Sequence, residues 1–268
     1  MRIRGSESPL NGKLRFIYTG SMQPDTHFAH FERTTDPWHQ RSPVTEHYQW
    51  FRNLVELHEL TKAWLTEVQI DRPSYFLTRG FSRRVGENLW MLESLSEKKM
   101  EDFLDDTHPN DMLARLDHAV WAVQAWTLTH FQIHCPPGDR ESLSSLFEQL
   151  SWKAGRKCAQ TRWKNLISTR PNPSLDLKTI LLALHDSPFA GYPQKNPFLI
   201  QRALTQEITL ELFCCPHQQK YHEVGVVADR LCELHWHWLR GYAYGLNSKT
   251  SGELKKSSPR CIQHWYFL

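Results

Sequence analysis

The chain has 268 residues, 40% apolar and 23% charged, the composition of a globular protein long enough to bury a real core. Its formal net charge of +3 is too small to signal a nucleic-acid partner by itself. No stretch approaches the roughly 20 apolar residues that span a bilayer, and Met1 to Gly20 lacks the apolar run of a secretory signal. No membrane insertion is therefore expected, and the cytoplasm is the default compartment. Six cysteines, at 135, 158, 214, 215, 232 and 261, are too scattered for a small disulfide scaffold.

Residues 1 to 41, broken by Gly5, Pro9, Gly12, Gly20, Pro24 and Pro37, read as an extended arm with one candidate strand at Lys13 to Thr19. Ser42-Pro43 supplies a cap and a first-turn proline. Phe51, Leu54, Val55, His58, Leu65 and Val68 then follow at helical spacing up to Pro73. Ser94 with Glu97 matches a capping box before a short acidic helix ending near Pro109. Asn110 is read as the cap of a longer helix that is apolar on two sides, hence central. Cys135-Pro136-Pro137-Gly138 ends it, either as a domain boundary or as a loop within one domain.

An amphipathic helix is predicted next, carrying Leu143, Leu146, Phe147, Leu150, Ala154, Cys158 and Thr161. A shorter one covers Leu175 to His185, capped by Ser174. Ile208, Leu210, Leu212 and Cys214 alternate with Thr209, Glu211 and Phe213 as a half-buried strand should. The last long helix spans Glu223 to Asn247, with Val227, Leu231, Leu234 and Trp238 expected to face that strand. Ser248 to Arg260 reads as a mobile tail, and the apolar end from Ile262 to Leu268 is expected to dock.

The densest chemistry lies in Cys214-Cys215-Pro216-His217 and Cys232-Glu233-Leu234-His235, two C-x2-H pairs separated by fourteen residues. Thiolate and imidazole are the ligands zinc prefers, and four complete a tetrahedral site. Cys232 and His235, at i and i+3 on one helix, can point the same way. The plainer alternative is that both cysteines are small buried core residues beside ordinary histidines. On the same helix Asp229, Glu233 and His237 recur every four residues, as an acid/base or metal-binding pair or as a solvated face. Cys215 is the candidate nucleophilic thiol. In His235-Trp236-His237-Trp238 the two imidazoles lie about 200° apart, so a regular helix cannot bring them to one site.

The helix around residues 151 to 165 has no acid, while Lys153, Arg156, Lys157, Arg162 and Lys164 crowd it. With Trp152 and Trp163 beside Arg156, it could stack bases and hold phosphates, or pack its tryptophans while lysines face water. No phosphate-binding glycine loop, nucleophile elbow or H-E-x-x-H motif occurs.

Residues 139 to 247 resemble a 4-vinyl-reductase-type domain, a small α/β ligand-sensing module. The likeness rests on Cys232, on Gly241-Tyr242-Ala243-Tyr244-Gly245 in the final helix, and on Trp152-Lys153-Ala154-Gly155-Arg156 earlier. The resemblance implies a cavity for a small, largely apolar molecule.

The expected fold is therefore a helix-rich α+β protein. An arm (1–41) and a helical region (42–138) precede an α/β ligand-binding module (139–247) and a tail (248–268). The leading functional expectation is a metal-containing, zinc-binding sensor or accessory factor for a small apolar ligand. A metal- or thiol-dependent enzyme using Cys215, Glu233 and His237 is the alternative. Nucleic-acid binding through Lys153, Arg156 and Lys157 is the third.

Overall fold

The computed structural model describes residues 43–71, 95, 99–103, 108–164, 175–185, 187–189, 198–212, 228–257 and 260–268. Within them the fold is helix-rich α+β, with long helices beside a small antiparallel sheet. The helices are α1 (Pro43–Asp71), α2 (Pro109–His134), α3 (Arg140–Arg162), α4 (Leu177–His185) and α5 (Ala228–Leu246). The strands are β1 (Phe198–Leu204), β2 (Glu207–Leu212), β3 (Thr250–Ser257) and β4 (Arg260–Phe267). Lys13 to Thr19, Ser94 with Glu97, and Ser174 lie outside the described residues.

Local chemistry explains most helix ends. α1 begins at Pro43, the proline whose fixed φ suits a first turn. Asn110 is not the cap of α2. His108 fills that position, its ring accepting the Asn110 N–H at 3.4 Å, with Pro109 following. The Asn110 side chain instead meets the His47 ring of α1 at 2.7 Å. Asp176 caps α4 by accepting the Thr179 N–H at 2.7 Å. Asn247 closes α5, and its amide donates to the Leu175 carbonyl at 2.9 Å, tying the end of α5 to the approach to α4.

Contacts set the directions of the helices. His47–Asn110 and Thr61–Gln124 place α1 and α2 side by side and parallel. Trp64 of α1 donates to Ser151 of α3 at 3.2 Å while Glu56 pairs with Arg162, so α3 runs back along α1. Trp64 and Phe131 both meet the Phe147 ring, each at 5.5 Å between centroids. The buried side chains from Phe51 to Trp265 form one contiguous core. Cys135 to Asp139 is thus a tight corner within one packed body.

The closest approach is between α3 and α5, which run parallel. The most buried row of α3 is Leu143, Phe147, Ser151, Gly155 and Ala159, each four residues on. Of the expected apolar face Leu143 and Phe147 are buried, Leu146, Leu150, Ala154 and Cys158 are half-buried flanks, and Thr161 is exposed. The row is centred on small residues because the backbones nearly touch. A Cβ at Gly155 would sit 2.0 Å from the Trp238 carbonyl oxygen, and one at Gly241 would sit 2.0 Å from that of Trp152. Gly245 meets Ala159 and the Arg156 carbonyl in the same way, one turn further on.

The sheet has the order β1-β2-β4-β3, all neighbours antiparallel. β2 covers the strand expected from its alternating residues. The segment expected to be a mobile tail instead supplies β3, and the apolar end expected to dock lies in β4, which pairs with β3 and along the whole of β2. Gly252 lies opposite Trp265, whose ring occupies the space a side chain would need, with the Trp236 ring of α5 close behind. This glycine lets the indole fold across the strand and anchor α5, the two Trp centroids being 4.8 Å apart. α5 therefore rests on the hairpin side of the sheet, at β3 more than at the expected β2.

Gly155→Ala and Gly241→Ala should each cost about 3 kcal/mol, the upper end for overpacking, because the facing partner is backbone and cannot move aside. Gly138→Ala, with nothing within 4 Å of the new methyl, should change stability by less than about 0.5 kcal/mol. Urea unfolding of the three variants measures this.

Candidate functional site

α5 is buried on several sides, so its polar residues are sorted by direction. His235, 3% exposed, points into the core. Phe189 stacks on its ring at 4.0 Å and Trp121 meets it edge-on at 5.3 Å. Its Nε2 lies 2.9 Å from Gln124 Oε1. The Gln124 amide donates at 3.2 Å to the Thr61 hydroxyl, which donates in turn to the Leu57 carbonyl at 3.0 Å. This order of donors makes His235 Nε2 the protonated nitrogen of that bond. A polar line thus crosses an aromatic core from α1 through α2 to α5.

Cys232, one turn before His235, is half-buried at the edge of the core. None of Cys135, Cys158 and Cys232 is in a disulfide. The other half of the expected zinc set, Cys214 and His217, and the candidate thiol Cys215 lie outside the described residues. Among the described residues no three His, Cys, Asp or Glu side chains converge as metal ligands would.

Glu233 and His237 face outward, and the structure separates them. Glu233 accepts from Arg230 at 2.8 Å and from Lys256 of β3 at 3.0 Å. His237 lies instead 3.6 Å from Glu148 of α3. Arg230 joins the two, donating to Glu148 at 2.9 Å and to both the hydroxyl and carbonyl of Ser144. Partial burial opposes the charge on Glu233, but hydrogen bonds from Arg230 and Lys256 hold its carboxyl below its ordinary range. Burial lowers the proton affinity of His237, although Glu148 resists. A carboxylate held ionised by two cations is a poor proton acceptor, and no bond links it to the imidazole. Within the described residues this is a surface ion network joining α3, α5 and β3.

A second polar cluster, absent from the sequence reading, lies where α1, α3 and α5 meet. Arg162 donates to Glu56 and to Asn53, both at 2.6 Å, with its own side chain only 6% exposed. Burial opposes the Arg162 charge, yet Glu56 holds the proton more firmly than usual. Burial drives the Cys158 thiol far above its ordinary range, and Glu56 adds to the effect, so this sulfur stays protonated. Burial likewise raises Tyr242, whose hydroxyl accepts the Trp163 indole N–H at 2.7 Å. The cluster is a buried ion pair with satisfied neighbours, suited to holding three helices together.

Of the basic helix, Lys153, Arg156 and Lys157 are all exposed. Trp163 is turned inward to Tyr242 and does not join them. Tyr244 of α5 takes its place, 5.2 Å from the Trp152 ring. Sequence spacing along one helix could not place Tyr244 there. The signal for His235 was present, because Gln124 is an amide in the middle of a helix that reads as buried all round.

His58, 2% exposed, also has its proton affinity lowered by burial, as has His237. Both folded-state pKa values lie below the ordinary 6.5, so below that pH the unfolded chain binds protons that the folded one refuses. Stability should be full above pH 6.5 and fall as the pH drops through the folded values. Thermal melts from pH 7.5 to 5 should show a falling Tm, with a shallower slope in His58→Gln. A Tm that is flat or rising toward pH 5.5 would contradict this.

No family model, no curated protein and no solved structure matches the chain.

Proposed function

We propose that the chain is a metal-containing binding protein for a small, largely apolar molecule, organised around His235. The observation that carries the reading is the His235–Gln124 hydrogen bond inside an aromatic core. A buried polar line is costly unless every member is satisfied, and in this one the Gln124 carbonyl fixes the orientation of the imidazole through Nε2. Metal-ligating histidines are commonly oriented this way, with the other ring N–H given to a carbonyl. Zinc held by Cys214, His217, Cys232 and His235 fits that chemistry, two of its four ligands lying one turn apart on α5.

Trp121 and Phe189 against the imidazole, with Trp238 packed on Phe189, suit a ligand recognised by ring contacts and one polar group. The resemblance of residues 139 to 247 to a ligand-sensing module accords with this. Binding is favoured over acid/base catalysis because Glu233 and His237 are held in separate contacts on the surface.

Protein purified without a metal-affinity step should contain close to one zinc per chain by elemental mass spectrometry. A strong chelator should lower its Tm, since binding energy at a structural site is folding energy. Gln124→Leu should weaken zinc retention by about 10- to 100-fold through loss of the carbonyl that orients His235. Metal-free protein whose Tm ignores the chelator would end the reading.

A further inference from the structure

The outer side of the α3–α5 seam carries a second surface, far in character from the His235 core. Trp152 is half-buried and Tyr244 exposed, and the Arg156 guanidinium lies over both rings, 5.7 Å from the first and 5.6 Å from the second. Stacking fixes the plane of the guanidinium and leaves its outer edge of N–H donors facing solvent. Lys153 and Lys157 flank it on α3, and Lys164 extends the line past the helix end. Lys153 to Lys164 corresponds to about 16 Å of helical rise. Arg240 lies on α5 one turn before Tyr244, close enough to His237 to lower its proton affinity.

Among the described residues none of Lys153, Arg156, Lys157, Lys164 and Arg240 has a carboxylate partner. Glu148, one turn before Trp152 on α3, is paired with Arg230. The glycines create the surface. Gly241 and Gly155 bring the two backbones together, so side chains from different helices meet as one aromatic pair.

We propose that this surface binds single-stranded nucleic acid. Phosphates would lie along Lys153, Arg156, Lys157 and Lys164, and a base would stack on Tyr244 beside the guanidinium. Unpaired cations along a line with exposed rings beside them are what a flexible polyanion with planar bases requires. An acidic polypeptide would use the cations but gain little from the rings.

The test is fluorescence anisotropy of a labelled 12-mer oligothymidylate titrated with the full chain between 20 and 200 mM salt. Three to four phosphate contacts predict a slope of log K against log salt of about −2 to −3. Tyr244→Ala should weaken binding at fixed salt by roughly tenfold while keeping the slope. The pair Lys153→Glu and Lys157→Glu should abolish binding and leave the melting curve in place, both positions being exposed. Absence of binding at 20 mM salt would overturn the proposal. So would equal displacement by polyglutamate at matched charge, or a Tyr244→Ala variant that folds and binds like the parent, since either shows that only charge is recognised.

Discussion

The backbone contact between α3 and α5 is the constraint on which the rest of the structure depends. Gly155 faces the Trp238 carbonyl and Gly241 faces the Trp152 carbonyl, a reciprocal exchange that no residue with a Cβ could make. Close approach lets the two helices act as one rigid double rod. Each other part of the described fold attaches to it. α1 docks through Trp64 on Ser151 and through Glu56 on Arg162. α2 reaches it through His235, and the sheet through Trp236 against Trp265.

Because α5 is fixed in rotation by that contact, the fates of its polar residues follow. His235 is turned into the core, where Gln124 meets its Nε2 and two aromatic rings pack against it. Glu233 and His237 are turned to the rim, where Arg230, Lys256 and Glu148 take them up. Tyr244 is carried to the far side beside Trp152. One helix thus serves a buried polar line, a surface ion network and an aromatic–cationic surface. A binding role for the core and an interface role for the outer face are compatible, because opposite sides of the double rod carry them.

The sequence makes the long elements legible and the contacts between them obscure. α1 is readable from Ser42-Pro43 to the region of Pro73 because large apolar residues recur at helical spacing. β2 is readable because its residues alternate. The seam of α3 is hidden, since Ser151, Gly155 and Ala159 carry almost no hydropathy signal and matter through their smallness. The β3–β4 hairpin is hidden too: Thr250 to Ser257 is polar and lysine-bearing, and its glycine makes sense only once Trp265 lies opposite. Of the candidate site, Cys232 and His235 are visible as a spacing, but the Gln124 bond that defines the imidazole joins residues 111 apart. The Arg162–Glu56 pair spans 106 residues and is equally invisible. Long-range polar pairing has no local pattern to betray it.

Native-state hydrogen exchange measured residue by residue along α3 and α5 tests this account most directly. If the glycine contact is the foundation, amides from Ser151 to Ala159 and from Trp236 to Leu246 should be the slowest in the protein. They should open together, and only with global unfolding. Opening of α3 at a lower free energy, with α5 and the sheet still protected, would contradict it.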